Sequence, residues 1–343
     1  MKAVLYLGPE NVAARDVSDP KVEAKEVLIK VKVAGICGSD LEMYRGHRLD
    51  VVPPRIPGHE ISGDVAEIGK DVKKFNPGDR VVVEPIVSCG ECRMCRLGRY
   101  NICRNLRILG VYKDGAFAEY VTLPENRVYK LPKRLSYEEG AVLEPTAVGV
   151  HTAKRAHVSV GDVVVILGAG PIALQIGQVA RAMGASHIIM TDVLDYRLQL
   201  AKKLGADVVV NVANEDPKRY VDEATDGEGA DVVIEATGLS KTILQTMSLV
   251  RSGGTVHIAG LNVERLVTEP PTFFVNGLLK EVTVEFSRAY SAGDWPIAIR
   301  LASRGQVNCD ALVSHRFPLD EAKRAYEVAD KKLENAVKVV FTP

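Results

Sequence analysis

Val163-Val-Val-Ile-Leu-Gly168-Ala-Gly170-Pro171-Ile172-Ala173 decides the fold. Five aliphatic residues, most of them β-branched, make a buried strand, and the glycines that follow lead into a helical pattern over 171–183. This is G-x-G-x-x-[G/A] in strand, turn, helix context, a dinucleotide-binding fingerprint. Gly168 makes the tight turn and Gly170 lets a pyrophosphate approach the backbone, its charge resting on the helix end that Pro171 and Ile172 open. Ala173 replaces the third glycine, so its methyl must fit against the strand. A second strand, HIIMT, ends at Asp192, 24 residues beyond Gly168. A carboxylate there accepts hydrogen bonds from the adenosine ribose and repels a 2′-phosphate, which favours NAD(H) over NADP(H). Asp192 could instead cap a helix. Arg197, close by, could serve a phosphate or stack beside the adenine.

Outward from this stretch the strand and helix patterns keep alternating, through DVVVNV, DVVIEATG, TVHIAG and VTVEF, which predicts a parallel sheet. Residues 1 to about 149 differ. There short strands such as VLIKVKVAGIC, ISGDVAEIG and AFAEYVTLP are separated by Gly, Pro and Asp turns, an all-β texture. After about 290 come an amphipathic helix, a short strand, a helix from Leu319 and a final KVVF strand, which no longer follow the alternation. A length of 343 residues suits two domains, and 46% hydrophobic with 26% charged residues suits two real cores. Lys and Arg number 44 and Asp and Glu 44, so the net charge is zero and draws the chain to neither nucleic acid nor an anionic membrane. The opening MKAVLYLGPE is too short for the apolar core of a secretory signal, so a cytoplasmic chain is expected.

Four of the six cysteines, Cys89, Cys92, Cys95 and Cys103, form C-x2-C-x2-C-x7-C. Four thiolates can close a tetrahedral Zn²⁺ site, which is a structural site because no position is left for substrate. An iron–sulfur cluster uses the same ligands, but nothing else in the sequence suggests electron transfer. Cys37, in GICGSD, ends an apolar strand; His59 and Glu60 stand in GHE, and Glu144 in LEP. Each alone reads as an ordinary structural residue. Together, one thiolate, one imidazole and one carboxylate would hold Zn²⁺ and leave a position open.

The set ICGSD, GHE, the cysteine lobe, DGAFAEY, LEP, GAGPIA and Asp192 resembles the zinc-dependent medium-chain dehydrogenase/reductase family, in its sorbitol (polyol) dehydrogenase branch, over essentially the whole chain. The resemblance implies an α/β protein: a GroES-like β-rich catalytic domain over 1–149 and 288–343, with a structural-zinc lobe at about 86–106. A Rossmann domain, a doubly wound parallel sheet that binds NAD, would span 150–287. It implies two zinc ions per subunit, one structural and one catalytic. Cys37 and His59 are then catalytic-zinc ligands, with Glu60 or Glu144 as the carboxylate. Ser39 would take the proton of a secondary alcohol, and Glu42 stands where the family often has a relay histidine. Thr237, Ala259, Gly260, Leu261, Phe286 and Ser287 would border the cofactor. Tyr44, Glu119 and Arg288 are substrate candidates, with Arg45 and His47 as further polar neighbours. The implied activity is hydride transfer between a polyol or sugar alcohol and NAD. L-threonine and 2,3-butanediol are alternative substrates, and a non-catalytic nucleotide-binding protein is the alternative class. The family assembles as homodimers or homotetramers, and the apolar strand at 281–286 is a candidate contact.

Overall fold

The computed structural model describes residues 1–261 and 272–343. The chain opens with a hairpin, β1 (Lys2–Gly8) and β2 (Asn11–Asp16). Strand β3 (Glu26–Gly35) leads into the short helix α1 (Gly38–Tyr44), followed by β4 (Glu60–Ile68) and β5 (Arg80–Val83). A small hairpin of β6 (Ile86–Val87) and β7 (Arg107–Ile108) brackets α2 (Arg93–Arg96). Next come β8 (Tyr120–Pro124), β9 (Val128–Lys130) and the long α3 (Tyr137–Arg155). Strands and helices then alternate: β10 (Val163–Leu167), α4 (Pro171–Met183), β11 (His187–Asp192), α5 (Asp195–Lys203), β12 (Val208–Asn211) and α6 (Pro217–Thr225). The series continues with β13 (Ala230–Glu235), α7 (Ser240–Leu249), β14 (Val250–Ile258), α8 (Thr272–Leu279) and β15 (Thr283–Phe286). The chain finishes with α9 (Asp294–Ser303), β16 (Val313–Phe317), α10 (Ala322–Lys331) and β17 (Lys338–Phe341).

These elements form two compact units, one of 1–144, 291–303 and 308–343, the other of 145–290 and 304–307. The sequence reading set the passages at 149/150 and 287/288. The first passage lies inside α3, where no change of texture marks it; Pro145 within that helix removes a backbone donor at that point.

In the first unit the main sheet runs β16-β17-β3-β4-β5-β9, with β8 also on β3. The final strand β17 lies antiparallel beside the end of β3, Val340 opposite Gly35, and Ile36 N–H donates to Val339 O at 2.9 Å. Residues from both chain ends share one core, where Phe117 packs edge-on against Phe341 and Tyr326.

In the second unit all strands are parallel, in the order β12-β11-β10-β13-β14-β15. Val164 to Leu167 are fully buried because helices cover both faces of such a sheet, which is why β10 reads as an unbroken apolar run. The order reverses beside β10, so its carboxyl end is the switch point where ligands bind open α/β sheets. Helix α4 starts there on Pro171 at its first turn and stops at Gly184, whose φ of 104° suits glycine.

One buried group of this unit is a pH liability. His257 on β14 is fully buried, and neither ring nitrogen has a hydrogen-bond partner among the described residues. Burial, opposed by Glu285 and reinforced by Arg155, brings its pKa down to about 4. The folded value lies below the unfolded one, so the neutral ring's contribution is intact above about pH 6.5 and is lost as pH falls toward 4. Denaturant titrations at pH 7 and pH 4.5 are expected to differ by about 2–3 kcal/mol from this residue. In His257→Leu that part of the difference should vanish.

No helix of the described residues is long and apolar enough to cross a membrane.

Candidate active site

Cys37 is the N-cap of α1, directly after β3. Its backbone N–H donates to Asp40 Oδ2 at 2.9 Å, the reach-back of a capping box, and this draws Asp40 into full burial. Ser39 follows on the same turn. His59 enters from the loop before β4, where Gly58 has φ 96° and a Cβ would stand 2.4 Å from the Phe117 ring. The DGAFAEY stretch fixes this loop through backbone bonds: Gly115 N–H to Ile56 O, Ala116 N–H to Gly58 O and Phe117 N–H to Pro57 O, at 2.7–3.0 Å.

Around His59, Ser39 Oγ is 3.4 Å from Nε2 and Asp40 Oδ1 is 3.7 Å from Nδ1. Burial opposes the charged ring, yet Asp40, Cys37 and Glu144 together raise the His59 pKa well above its usual value. A half-buried thiol beside a buried imidazole and buried carboxylates is chemically suited to a bound cation. Asp40 then stands where a carboxylate orients a ligating histidine through its other ring nitrogen.

Glu60 behaves differently. Both of its carboxylate oxygens bind Lys338 Nζ, at 2.7 and 2.8 Å, and the same Nζ donates to Ile36 O at 3.1 Å. Lys338 is 3% exposed and Glu60 1%. Gly35 is required beside them, since a Cβ there would lie 2.2 Å from Glu60 Oε2. Cys37, His59, Glu60 and Glu144 thus share one region of the first unit, with Glu60 already satisfied by a lysine.

The cysteine lobe is more regular. Among the described residues, the ligand atoms of Cys89, Cys92, Cys95 and Cys103 all lie within 4.8 Å of one another. Sulfur separations of 3.4, 3.5, 3.8 and 3.9 Å match the edge of a tetrahedron, ~3.8 Å for a Zn–S bond of ~2.3 Å. Backbone N–H groups of Cys89, Cys92 and Asn105 already point at these sulfurs.

In the second unit Gly168 takes φ 107°, and a Cβ there would meet Thr237 at 2.9 Å. Asp192 accepts from Ala169 N–H at 2.8 Å and from Val193 and Leu194 N–H at 2.8 and 3.0 Å. Its carboxylate therefore ties the glycine turn to the end of β11. Arg197 faces Gly170: its Nη1 is the atom nearest to where a Cβ of that glycine would be, at 3.8 Å. Ala173 is buried, its methyl accommodated under α4.

The loops after β13 and β14 lie back to back. A Cβ on Gly238 would be 2.4 Å from Leu261 O, and one on Gly260 2.2 Å from Gly238 N. Beneath them the fully buried Glu235 accepts from Thr237 N–H at 2.8 Å and Gly238 N–H at 3.1 Å, as well as from Thr242. Ala259 and Gly260 N–H donate to Glu235 O. After β15, exposed Phe286 is followed by Ser287, whose Oγ is 3.1 Å from Thr152 Oγ1, and by exposed Arg288.

Two expected substrate residues are used elsewhere. Glu119 accepts from Lys2 N–H through one carboxylate oxygen at 2.7 Å, which seats β1. Tyr44 packs on Tyr326 with ring centroids 5.1 Å apart and lines a cavity with Glu10, Lys323, Glu327, Asp330 and Lys331; none of Cys37, Ser39 or His59 borders that cavity. Glu42 is held by Arg45 Nη1 at 2.5 Å and His47 Nδ1 at 2.8 Å. Asp40, Lys338 and Glu235 were not singled out from the sequence. Only Asp40 had a local signal, its capping-box spacing from Cys37.

The alcohol dehydrogenase GroES-like domain matches residues 23–133, and the zinc-binding dehydrogenase domain matches 171–304. D-arabitol-phosphate dehydrogenase of Enterococcus avium is 38% identical over 99% of this chain and 97% of its own. Sorbitol dehydrogenase of Bacillus subtilis (strain 168) is 35% identical over 100% of this chain and 97% of its own. The short chain alcohol dehydrogenase of E. coli CFT073, solved with NADH, superposes with a TM-score of 0.91 at 30% identity, covering 100% and 99% of the two chains. The protein is thus an oxidoreductase that works with zinc and a nicotinamide dinucleotide. It belongs to the zinc-dependent medium-chain dehydrogenase/reductase family, alongside the sorbitol dehydrogenases.

Proposed function

We propose that the protein oxidises a secondary hydroxyl of a polyol or polyol phosphate and passes the hydride to NAD. The observation that carries this reading is Ser39 Oγ at 3.4 Å from His59 Nε2 in the pocket that also holds Cys37 and Asp40. Zinc held by Cys37, His59 and a carboxylate supplies a Lewis acid that makes a hydroxyl more acidic, and the nicotinamide accepts the hydride.

The chain's own residues do the rest. Asp40, whose Oδ1 lies 3.7 Å from His59 Nδ1, supplies the nearby negative charge that favours one orientation of the ring. Lys338 engages both Glu60 oxygens, which supports Glu144 as the carboxylate ligand. Ser39 accepts the hydroxyl proton. Glu42, three residues further along α1 and so on the same helix face, passes a proton outward through His47, which is half exposed. Arg288, exposed at the end of β15, is the candidate for a phosphate or a hydroxyl pair.

Asp192 supports NAD over NADP, because its carboxylate lies at the end of β11, where a 2′-phosphate would meet like charge. In Asp192→Ser the preference for NAD over NADP, read as the ratio of kcat/KM values, is expected to fall about tenfold or more. An unchanged ratio would remove Asp192 from that role.

The decisive assay follows reduced cofactor with polyols, polyol phosphates, butanediols and L-threonine, with and without chelator. Chelator-sensitive turnover of a polyol or its phosphate supports the reading. Turnover of threonine or a butanediol alone moves the substrate class, and no turnover by zinc-loaded protein favours a nucleotide-binding role.

We also propose a homo-oligomer. Among the described residues strand β15 ends the parallel sheet, with Val284 and Phe286 exposed, and α8 exposes Phe274, Val275, Leu278 and Leu279. An apolar patch on an unpaired edge suits a second copy of the same edge. Sedimentation should give a mass above the monomer's.

A further inference from the structure

A buried carboxylate in the second unit has only neutral hydrogen-bond partners among the described residues. Glu235 ends β13 and is fully buried. Its Oε1 faces Thr237 N–H at 2.8 Å, the Thr237 hydroxyl at 2.5 Å, the Thr242 hydroxyl at 2.9 Å and Gly238 N–H at 3.1 Å. Its Oε2 has one longer bond, from Gly238 N–H at 3.2 Å, and lies against Gly260, where a Cβ would stand 2.6 Å away. Burying a charge among neutral partners is costly. A glutamine of the same shape could hold these donors through a single oxygen without that cost. Fixing the turns therefore does not account for the charge.

The sheet order places this charge on one half of the dinucleotide. The pyrophosphate belongs to the carboxyl end of β10, where the turn is bare: a Cβ on Gly170 would have no atom nearer than Arg197 Nη1 at 3.8 Å. Asp192, which takes the adenosine ribose, ends β11 on one side of β10. On the other side β13 adjoins β10 at about 4.8 Å, and β14 lies beyond it. With the adenosine half toward β11, the nicotinamide half extends toward β13 and β14, the side of Glu235. The turns on this side are packed together. A Cβ on Gly168 would meet the Thr237 methyl at 2.9 Å, and Ala259 N–H donates to Glu235 O at 2.8 Å.

The oxidised nicotinamide ring carries a positive charge that the reduced ring lacks. A fixed anion in a site shielded from water acts on that difference over several ångströms. We infer that Glu235 selects the redox state of the cofactor: its carboxylate holds the turns after β13 and β14 and, through its charge, favours the oxidised over the reduced dinucleotide. This rests on the reading that the adenosine ribose sits at Asp192. It adds a preference between the two redox forms to the preference between NAD and NADP.

Binding of the two forms to full-length protein tests it without any turnover: NADH by its own fluorescence, NAD⁺ by competition against it. Glu235→Gln keeps Oε1 for its donors and loses the charge and the bond at 3.2 Å. The variant is isosteric and buries no charge, so the fold is not at stake. The ratio of the NAD⁺ dissociation constant to that of NADH is expected to rise about threefold or more. Glu235→Asp keeps the charge but shortens the reach to the turns, so both constants should rise together and their ratio should hold. A ratio in Glu235→Gln that stays at the wild-type value or falls makes Glu235 a support of the turns alone and overturns the inference. So does a ratio that rises equally in the Asp and Gln variants. Wild-type protein that binds neither form overturns the dinucleotide reading itself, and the inference with it.

Discussion

Lys338→Met will leave the Glu60 carboxylate buried without a counter-charge, and the unfolding free energy is expected to drop by about 3–5 kcal/mol. For a protein whose total stability is about 5–15 kcal/mol, this is among the largest effects a single substitution can have. Neither partner is screened by water, since both are almost fully buried, and Nζ carries three bonds, to the two Glu60 oxygens and to Ile36 O. The control is the double variant Lys338→Met with Glu60→Gln. With the stranded charge removed it should recover most of the loss. Urea titrations of the wild type, both single variants and the double variant measure the coupling. A double variant no more stable than Lys338→Met would mean that the pair acts by packing alone.

The second large effect is catalytic. Ser39→Ala removes the group we assign as proton acceptor and is expected to lower kcat by about 10²–10⁴-fold, the range for loss of a positioned acid or base. The side chain touches His59 but supplies no charge to the pocket, so zinc content and NADH affinity should stay at wild-type values. The deficit should shrink as pH rises, because hydroxide from solvent can then take the proton. A variant that loses metal together with activity would instead make Ser39 a structural support of His59. Retention of kcat would reassign the proton to another acceptor.

What the sequence made legible was local. Val163–Leu167 and the glycines after it announce a strand, a turn and a helix within eleven residues, and the four cysteines announce a tetrahedron through spacing alone. Asp40 was equally within reach, three residues from the Cys37 it caps. Lys338 was not, because it meets Glu60 across 278 positions and only the pairing of β17 with β3 brings them together. Glu119, which accepts from Lys2 N–H, was hard to place for a related reason. In a β unit, successive side chains face opposite sides, and without the sheet register a polar residue near a motif cannot be assigned to the cleft or to the far face. The passage between the two units was hidden because α3 runs straight through it. Glu235 looked like one more charged residue at a strand end, yet its burial under two touching glycine loops makes it the floor of the cofactor-side turns.

The placement of β17 also sets a timetable. Cys37 and His59 are synthesised roughly 300 residues before the strand that supports them, a delay of about 15–60 s at ~5–20 residues per second. Throughout that interval Ile36 has no Val339 carbonyl to bind, and Glu60 has no lysine. The metal pocket therefore cannot take its final shape until β17 has been made, and loading of that site waits for that strand.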